Sequence, residues 1–458
     1  MDLFGIFISL ILLMYLAYRG INVLILAPIL SLLAVAMAGG LPIMATYTQV
    51  FMRSLGNYVV QFFPLFMLGA IFGKLMADSG SARAIAEWGV NRLGAEQSIL
   101  AIVLSCGILT YGGVSLFVVA FAVYPIANAL FRRADVPKRL IPAAIALGSF
   151  TFTMTALPGT PAIQNAIPAP FFGTDAFAAP LLGLIAGLIM AGGGVLWLNW
   201  RRARLAAAGE GYGDHPVTEQ KAADVELPSV AVALAPAMLV IALNALFTYI
   251  VIPNLDNTYL AQPEYGATDV SAVRGVWAII GALVASIALL LALHWRRYRN
   301  VLESVNQGTY GALLPIFNTA SEVGYGAVIA SLPAFALIRD AVLNIAPGNP
   351  LISVAVATNV LAGVTGSASG GMSIALQTLG EQFRQLAETS GVSLELMHRV
   401  TALASGGFDA LPHNGAVITL LGICGLTHRQ SYPDIFVVAV AIPVLATIVV
   451  ITLGSLAL

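Results

Sequence analysis

Ala156-Leu157-Pro158-Gly159-Thr160-Pro161-Ala162 and Ala410-Leu411-Pro412-His413-Asn414-Gly415-Ala416 are two versions of one phrase. Each follows a glycine pair. Leu157 lies 44 residues after Gly113 of Gly112-Gly113-Val114-Ser115, and Leu411 lies 40 residues after Gly371 of Gly370-Gly371-Met372-Ser373. Both copies sit inside strongly apolar sequence. Proline removes a backbone donor and glycine loosens the chain, so each phrase reads as an interrupted helix. Interrupted helices duplicated at membrane depth point to a transporter built from two repeats, with its site at the breaks.

Composition fixes the class. Of 458 residues, 59% are hydrophobic and 9% are charged, against roughly 25% charged in a soluble domain. Apolar runs able to cross a bilayer occur near 3–18, 21–38, 57–73, 176–199, 229–252, 275–294 and 433–457. The start, Met1-Asp2-Leu3, lacks the basic region of a cleaved signal peptide, so 3–18 reads as a retained span. A net charge of -1 gives no reason to expect a nucleic acid partner. Cys106 and Cys424, both in apolar segments, read as buried thiols. Residues 41–55 are mildly amphipathic and read as a segment lying on the outer surface.

Basic residues orient the spans. Arg201, Arg202 and Arg204 place residue 200 inside, and Arg296, Arg297 and Arg299 do the same for residue 295. The loop 253–274, whose one basic residue is Arg274, then lies outside. Residues 96–131 leave the inside and must return to it by Arg132, which predicts a re-entrant hairpin with its tip at Thr110-Tyr111-Gly112-Gly113. The second half follows the same plan inverted: 311–338 runs outward, 350–382 forms a hairpin with its tip at Gly366–Gly371, and 398–427 crosses with a break at Leu411–Gly415. The expected fold is an all-α polytopic membrane protein of two inverted repeats. Each has about five spans, one re-entrant hairpin and a broken helix. The organisation is 1–200, a cytoplasmic linker at 201–227, and 228–458, with both termini outside.

Half-helix N-termini attract anions and their C-terminal carbonyls attract cations, so such a site needs few charged side chains. The candidate substrate ligands are Thr110, Gly112, Gly113, Ser115, Thr160, Gln164, Asn165, Ser367, Ser369, Gly370, Gly371, Ser373, His413 and Asn414. Their hydroxyls and amides could bind a carboxylate and a hydroxyl, or could cap and join helices. His413 is a proton candidate because its ordinary pKa lies in the physiological range. Asp409, just before the break, and Glu322, within 311–338, are the others, since ionisable residues at membrane depth suggest function. Arg339, Arg384 and Arg399 read as interface or structural groups, and His294, beside Trp295, as part of an interfacial belt. No HExxH, CxxC or P-loop pattern occurs, so no metal or cofactor is expected.

At Ala404–Leu421, with its run Leu411-Pro412-His413-Asn414-Gly415-Ala416-Val417-Ile418-Thr419-Leu420-Leu421, the chain resembles the gluconate permease (GntP) family of the ion transporter superfamily. Ser367-Ala368-Ser369-Gly370-Gly371 and Tyr111-Gly112-Gly113-Val114-Ser115-Leu116-Phe117 support the resemblance. It implies an organic-acid:proton symporter of the inner membrane, dimeric, with elevator-like alternating access. Gluconate-type members carry a histidine in the first break, where this chain has Gly159-Thr160-Pro161. That departure points to a short hydroxy acid such as 3-hydroxybutyrate, with a gluconate-like acid as the other candidate. Sodium is the alternative coupling ion, held by carbonyls at Gly366–Gly371. A cation/proton antiporter would want more acidic residues at the crossing than Asp409 alone; from a different class, an intramembrane hydrolase could use only Ser405 with His413, and a passive channel would not need duplicated breaks.

Overall fold

Ile43–Asp78 is one unbroken 36-residue helix. It joins the segment expected on the surface to the span expected after it, because no breaker strong enough to end a helix separates them and Pro64 is absorbed within it. At about 54 Å it exceeds the bilayer's hydrocarbon core and must tilt or protrude. The computed structural model describes residues 2–215, 226–346 and 348–456, so residues 216–225 of the expected linker lie outside the described residues. Among the described residues every regular element is helical.

Among the described residues, six helices are long and apolar enough to cross a membrane: Ile43–Asp78, Leu116–Arg133, Pro180–Ala207, Val230–Asn254, Val270–Arg297 and His428–Leu456. A seventh candidate is the pair Val301–Ser331 and Phe335–Leu343, bent by 100°. The span expected at 311–338 therefore ends early: Pro333 lacks the amide a continuing helix needs, and the chain turns. The expected linker start also shifts, because residues 201–207 complete the helix Pro180–Ala207. On that helix Leu181, Leu188 and Leu196 are 70%, 73% and 72% exposed, an apolar stripe that suits lipid.

Small residues let the long helices approach closely. A Cβ at Gly308 would lie 2.7 Å from the Ile71 Cα, so Val301–Ser331 and Ile43–Asp78 pack backbone to backbone there. Asp2–Tyr18 and Val23–Ala38 pack on the same long helix through Ile6, Leu13, Leu26, Leu30, Tyr325 and Val328. The Ser9 and Tyr325 hydroxyls meet at 2.7 Å within that contact.

The loop after Val230–Asn254 contains short 3₁₀ turns and ends at Asp269, which caps the next helix. Hydrogen bonds from the Ser271 hydroxyl and amide hold the Asp269 carboxyl below the ordinary carboxylate range. A cysteine introduced as Gln262→Cys, at an exposed position of this loop, is expected to react with a membrane-impermeant thiol reagent from outside. Cys106 and Cys424 are buried and leave a low background. Labelling from the cytoplasmic side alone would reverse the orientation.

Candidate functional site

Two helical hairpins and two interrupted helices form the centre. The first hairpin pairs Ser98–Tyr111 with Leu116–Arg133, and the second pairs Pro350–Thr365 with Ala368–Ser390. The first interruption lies between Phe152–Thr155 and Ile163–Ala166, and the second between Leu394–Ser405 and Gly415–Cys424. Each hairpin turn is seated on a break. At the first, Gly113 has a φ of 94° that glycine tolerates, and a Cβ there would lie 3.0 Å from Pro161 Cγ. The Tyr111 hydroxyl donates to the Pro158 carbonyl at 2.7 Å. At the second, a Cβ at Gly366 would lie 2.9 Å from His413 Cδ2.

The two glycine motifs do not occupy equivalent places. Gly112 and Gly113 form the turn of the first hairpin, whereas the second hairpin turns at Gly366-Ser367. Gly370 and Gly371 lie one turn inside the following helix and serve packing. A Cβ at Gly371 would lie 2.1 Å from the Ala362 nitrogen, and one at Gly370 would lie 1.5 Å from Glu322 Oε2. Gly112 is also a packing position, with a Cβ there 2.5 Å from Ala237 Cβ.

Several expected ligands are occupied by the chain itself. Asn165 is fully buried, donates to the Thr160 and Ala176 carbonyls at 3.1 and 2.8 Å, and accepts from Arg399 at 3.0 Å. Asn414 caps the half-helix after the second break. Its Oδ1 accepts from the Ala416 and Val417 amides at 2.6 and 2.9 Å, and its amide donates to the Gly366 carbonyl at 2.8 Å. Two amides expected to be free for an anion are therefore already bonded. Ser367 caps Ala368–Ser390 through Gly370, and Thr160 accepts from the Ala162 amide. Ser115 begins Leu116–Arg133 without a side-chain cap bond.

Other polar atoms retain unused capacity. Among the described residues, Thr110 Oγ1, Gln164 Oε1 and His413 Nε2 are buried without a hydrogen-bond partner, while Ser373 and Glu322 lie within reach of Tyr58 and Ser367. Glu322, 3% exposed, faces the second hairpin, where Ser369 Oγ lies 3.3 Å from Thr319 Oγ1 and 3.4 Å from Ser367 Oγ. Tyr58 lies beside Ser373 and Glu322, with its hydroxyl toward Ser373. Asp409 is half-buried in a short turn at the second break. Among the described residues no ion pair reaches Glu322 or Asp409. No group of three metal-ligating side chains forms among them either. Ser405 donates to the Ala402 carbonyl at 2.8 Å, which gives no support to a Ser405–His413 pair.

Three groups at the breaks carried no site signal in the sequence. Arg399 is not at an interface: it is fully buried and reaches from the second broken helix to the first break. It donates to the carbonyls of Thr155, Ala176 and Ala178 and to Asn165. Arg339 and Arg384, by contrast, form exposed ion pairs with Asp340 and Glu388. His428 Nε2 lies 2.8 Å from the Pro412 carbonyl, and the Tyr432 hydroxyl donates to the Ala410 carbonyl. His294 is also buried rather than belt-like, 3.3 Å from the Ser81 hydroxyl.

A family model for GntP family permeases matches residues 1–455. The uncharacterised transporter YxjC of Bacillus subtilis (strain 168) is 45% identical over 470 residues, covering 100% of this chain and 99% of its own. The high-affinity gluconate transporter of Escherichia coli (strain K12) is 28% identical over 175 residues, 36% of this chain and 37% of its own. Among solved structures, the Alcanivorax borkumensis YdaH transporter superposes with a TM-score of 0.56 at 18% identity, over 89% of this chain and 88% of its own. Neisseria gonorrhoeae MtrF, described within a class of antimetabolite efflux pumps, gives 0.54 at 10% identity, over 90% and 83%. At these identities the two structures speak for the fold alone.

Proposed function

Because the chain belongs to the GntP permease family, a family of membrane transporters, we propose that it is a proton-coupled symporter of a small organic acid. The substrate is a short hydroxy acid such as 3-hydroxybutyrate or a gluconate-like acid. Two inverted repeats, each with a re-entrant hairpin, carry alternating access of the elevator type. The protein is a homodimer of the inner membrane with both termini outside. The observation that carries this reading is the seating of each hairpin turn on a proline break, Gly113 on Pro161 and Gly366 on His413. Irregular backbone at membrane depth is tolerated where protein or a wet cavity surrounds it, and transporters place their substrates there.

Glu322, Asp409 and His413 are the proton carriers in this reading. His413 offers an unpartnered Nε2 beside the second hairpin turn. His413→Ala is expected to reduce gradient-driven accumulation to about the level left by a protonophore. Unchanged coupling would move the role to Asp409 or Glu322. Sodium coupling is the second reading, favoured by the oxygen-rich surroundings of Glu322, where hard cations find ligands.

Uptake of labelled 3-hydroxybutyrate into proteoliposomes under an inward proton gradient tests the proposal, with gluconate, citrate and lactate as competitors. Accumulation abolished by a protonophore and blocked by short hydroxy acids alone is the expected result. Accumulation with sodium alone would replace the coupling ion. Uptake that never exceeds equilibration would remove symport.

A further inference from the structure

Resting on the transport reading, we infer that the site is divided by charge. The first hairpin and break form the half that attracts the substrate carboxylate, and the second hairpin and break form the half that holds the coupling cation.

The first half contains a buried cation that forms no ion pair among the described residues. The Arg399 guanidinium is fully buried, and its hydrogen bonds all go to neutral acceptors, at 2.9–3.4 Å. The nearby carboxylate, Asp175, is ion-paired with Arg274 at 2.9 Å, so two arginines share one negative charge. Glu395 is exposed to solvent, where its field is screened. His398 is bonded to the Thr174 hydroxyl. A positive charge therefore remains in a low-dielectric setting, where its field reaches further than in water. Tyr111 of the first hairpin lies within that field and bonds the break at Pro158.

Arg399 has committed its donors, so it acts on an anion through its field, as a positioning residue. Direct contacts fall to groups with unused capacity. The Thr110 hydroxyl, 3% exposed and without a partner among the described residues, can donate to a carboxylate, and Gln164, 8% exposed, can do so through its amide N–H once the amide is turned so that Nε2 takes the place of the unpartnered Oε1.

The second half has the opposite character. Glu322 and Asp409 flank the second hairpin, and neither forms an ion pair among the described residues. The Tyr58, Ser373 and Ser367 hydroxyls gather around the Glu322 carboxyl, so the second half presents a cluster of oxygens with one carboxyl among them. Hard cations and protons are attracted to such a set, and anions are repelled. A symporter must hold both ligands at once, and opposed charges in adjoining halves allow that with few ionised side chains.

The test compares Arg399→Lys with Arg399→Gln in proteoliposome uptake, with thermal unfolding of the purified protein as the fold control. Both variants lose the forked hydrogen bonds, but the lysine variant keeps the charge. The expected result is a KM for 3-hydroxybutyrate raised about tenfold in Arg399→Gln but less than about threefold in Arg399→Lys. Gln164→Glu, which disturbs none of the Arg399 bonds, is expected to raise KM about tenfold with the proton or sodium dependence unchanged. Glu322→Gln is expected to lower gradient-driven Vmax with KM little altered. Equal losses in the two Arg399 variants, or an unchanged KM in Gln164→Glu, would overturn the division and leave symport standing. A wild type that accumulates none of the tested acids under either gradient would remove the transport premise, and the division with it.

Discussion

Gly371→Ala is expected to abolish uptake and to lower the unfolding temperature of the solubilised protein. The added Cβ would lie 2.1 Å from the Ala362 nitrogen, 2.3 Å from its Cα and 2.5 Å from the Leu361 carbonyl carbon. All three are backbone atoms of the opposing hairpin helix, so no rotamer change relieves the contact. The helices of the second hairpin must separate, which shifts Gly366 away from His413 and Asn414. Overpacking of this kind costs about 1–3 kcal/mol, and backbone collisions lie at the upper end. Gly422→Ala is the control. Gly422 is helical with open space around it, and replacement there should be neutral or stabilise by up to about 1 kcal/mol through helix propensity. Wild-type stability and transport in Gly371→Ala would contradict the close packing of this hairpin.

The second large effect is expected at Asn414. Asn414→Ala removes the acceptor for two first-turn amides and the donor to the Gly366 carbonyl. Loss of an N-cap costs about 1 kcal/mol, and leaving the half-buried Gly366 carbonyl unpaired adds about 1 kcal/mol, the low end for a buried group. Asn414→Ser separates the two contributions, because a serine hydroxyl can still cap the half-helix but does not reach Gly366. The expected order of unfolding temperature is wild type, then serine, then alanine. The alanine variant should also show weaker substrate binding because the turn and break lose their tie. If serine and alanine variants unfold together, the cap is not what matters. If both match the wild type, the Asn414 bonds contribute nothing measurable.

Much of this architecture could be read from the residues because membrane helices are constrained locally. A bilayer leaves no other partner for backbone groups, so apolar length and proline breaks mark helices and interruptions directly. The breaks at Leu157-Pro158 and Leu411-Pro412 and the two hairpins were legible for that reason. Less legible were the ends of elements. Residues 41–55 look like a separate amphipathic segment but continue into the following helix, and Val301–Ser331 ends before the span its apolar pattern suggested. The repeated glycine pairs looked equivalent, yet one makes a turn and the other makes a packed helix surface.

Side-chain roles were hardest to read. Asn165 and Asn414 have the chemistry of ligands, and only their neighbours show that their hydrogen bonds go to the chain. Arg399 looks from sequence like a helix-end cation, because nothing local reveals that Thr155, Asn165, Ala176 and Ala178 converge on it from more than two hundred residues away. The sequence by itself determined the class, the helical elements and the places where helices are interrupted, since these follow from local hydropathy and from the geometry of proline and glycine. Only the tertiary structure decided which polar groups are bonded internally and which are left unpartnered. Hydrogen bonding and charge compensation depend on atoms a few ångströms away in space, wherever they lie along the chain.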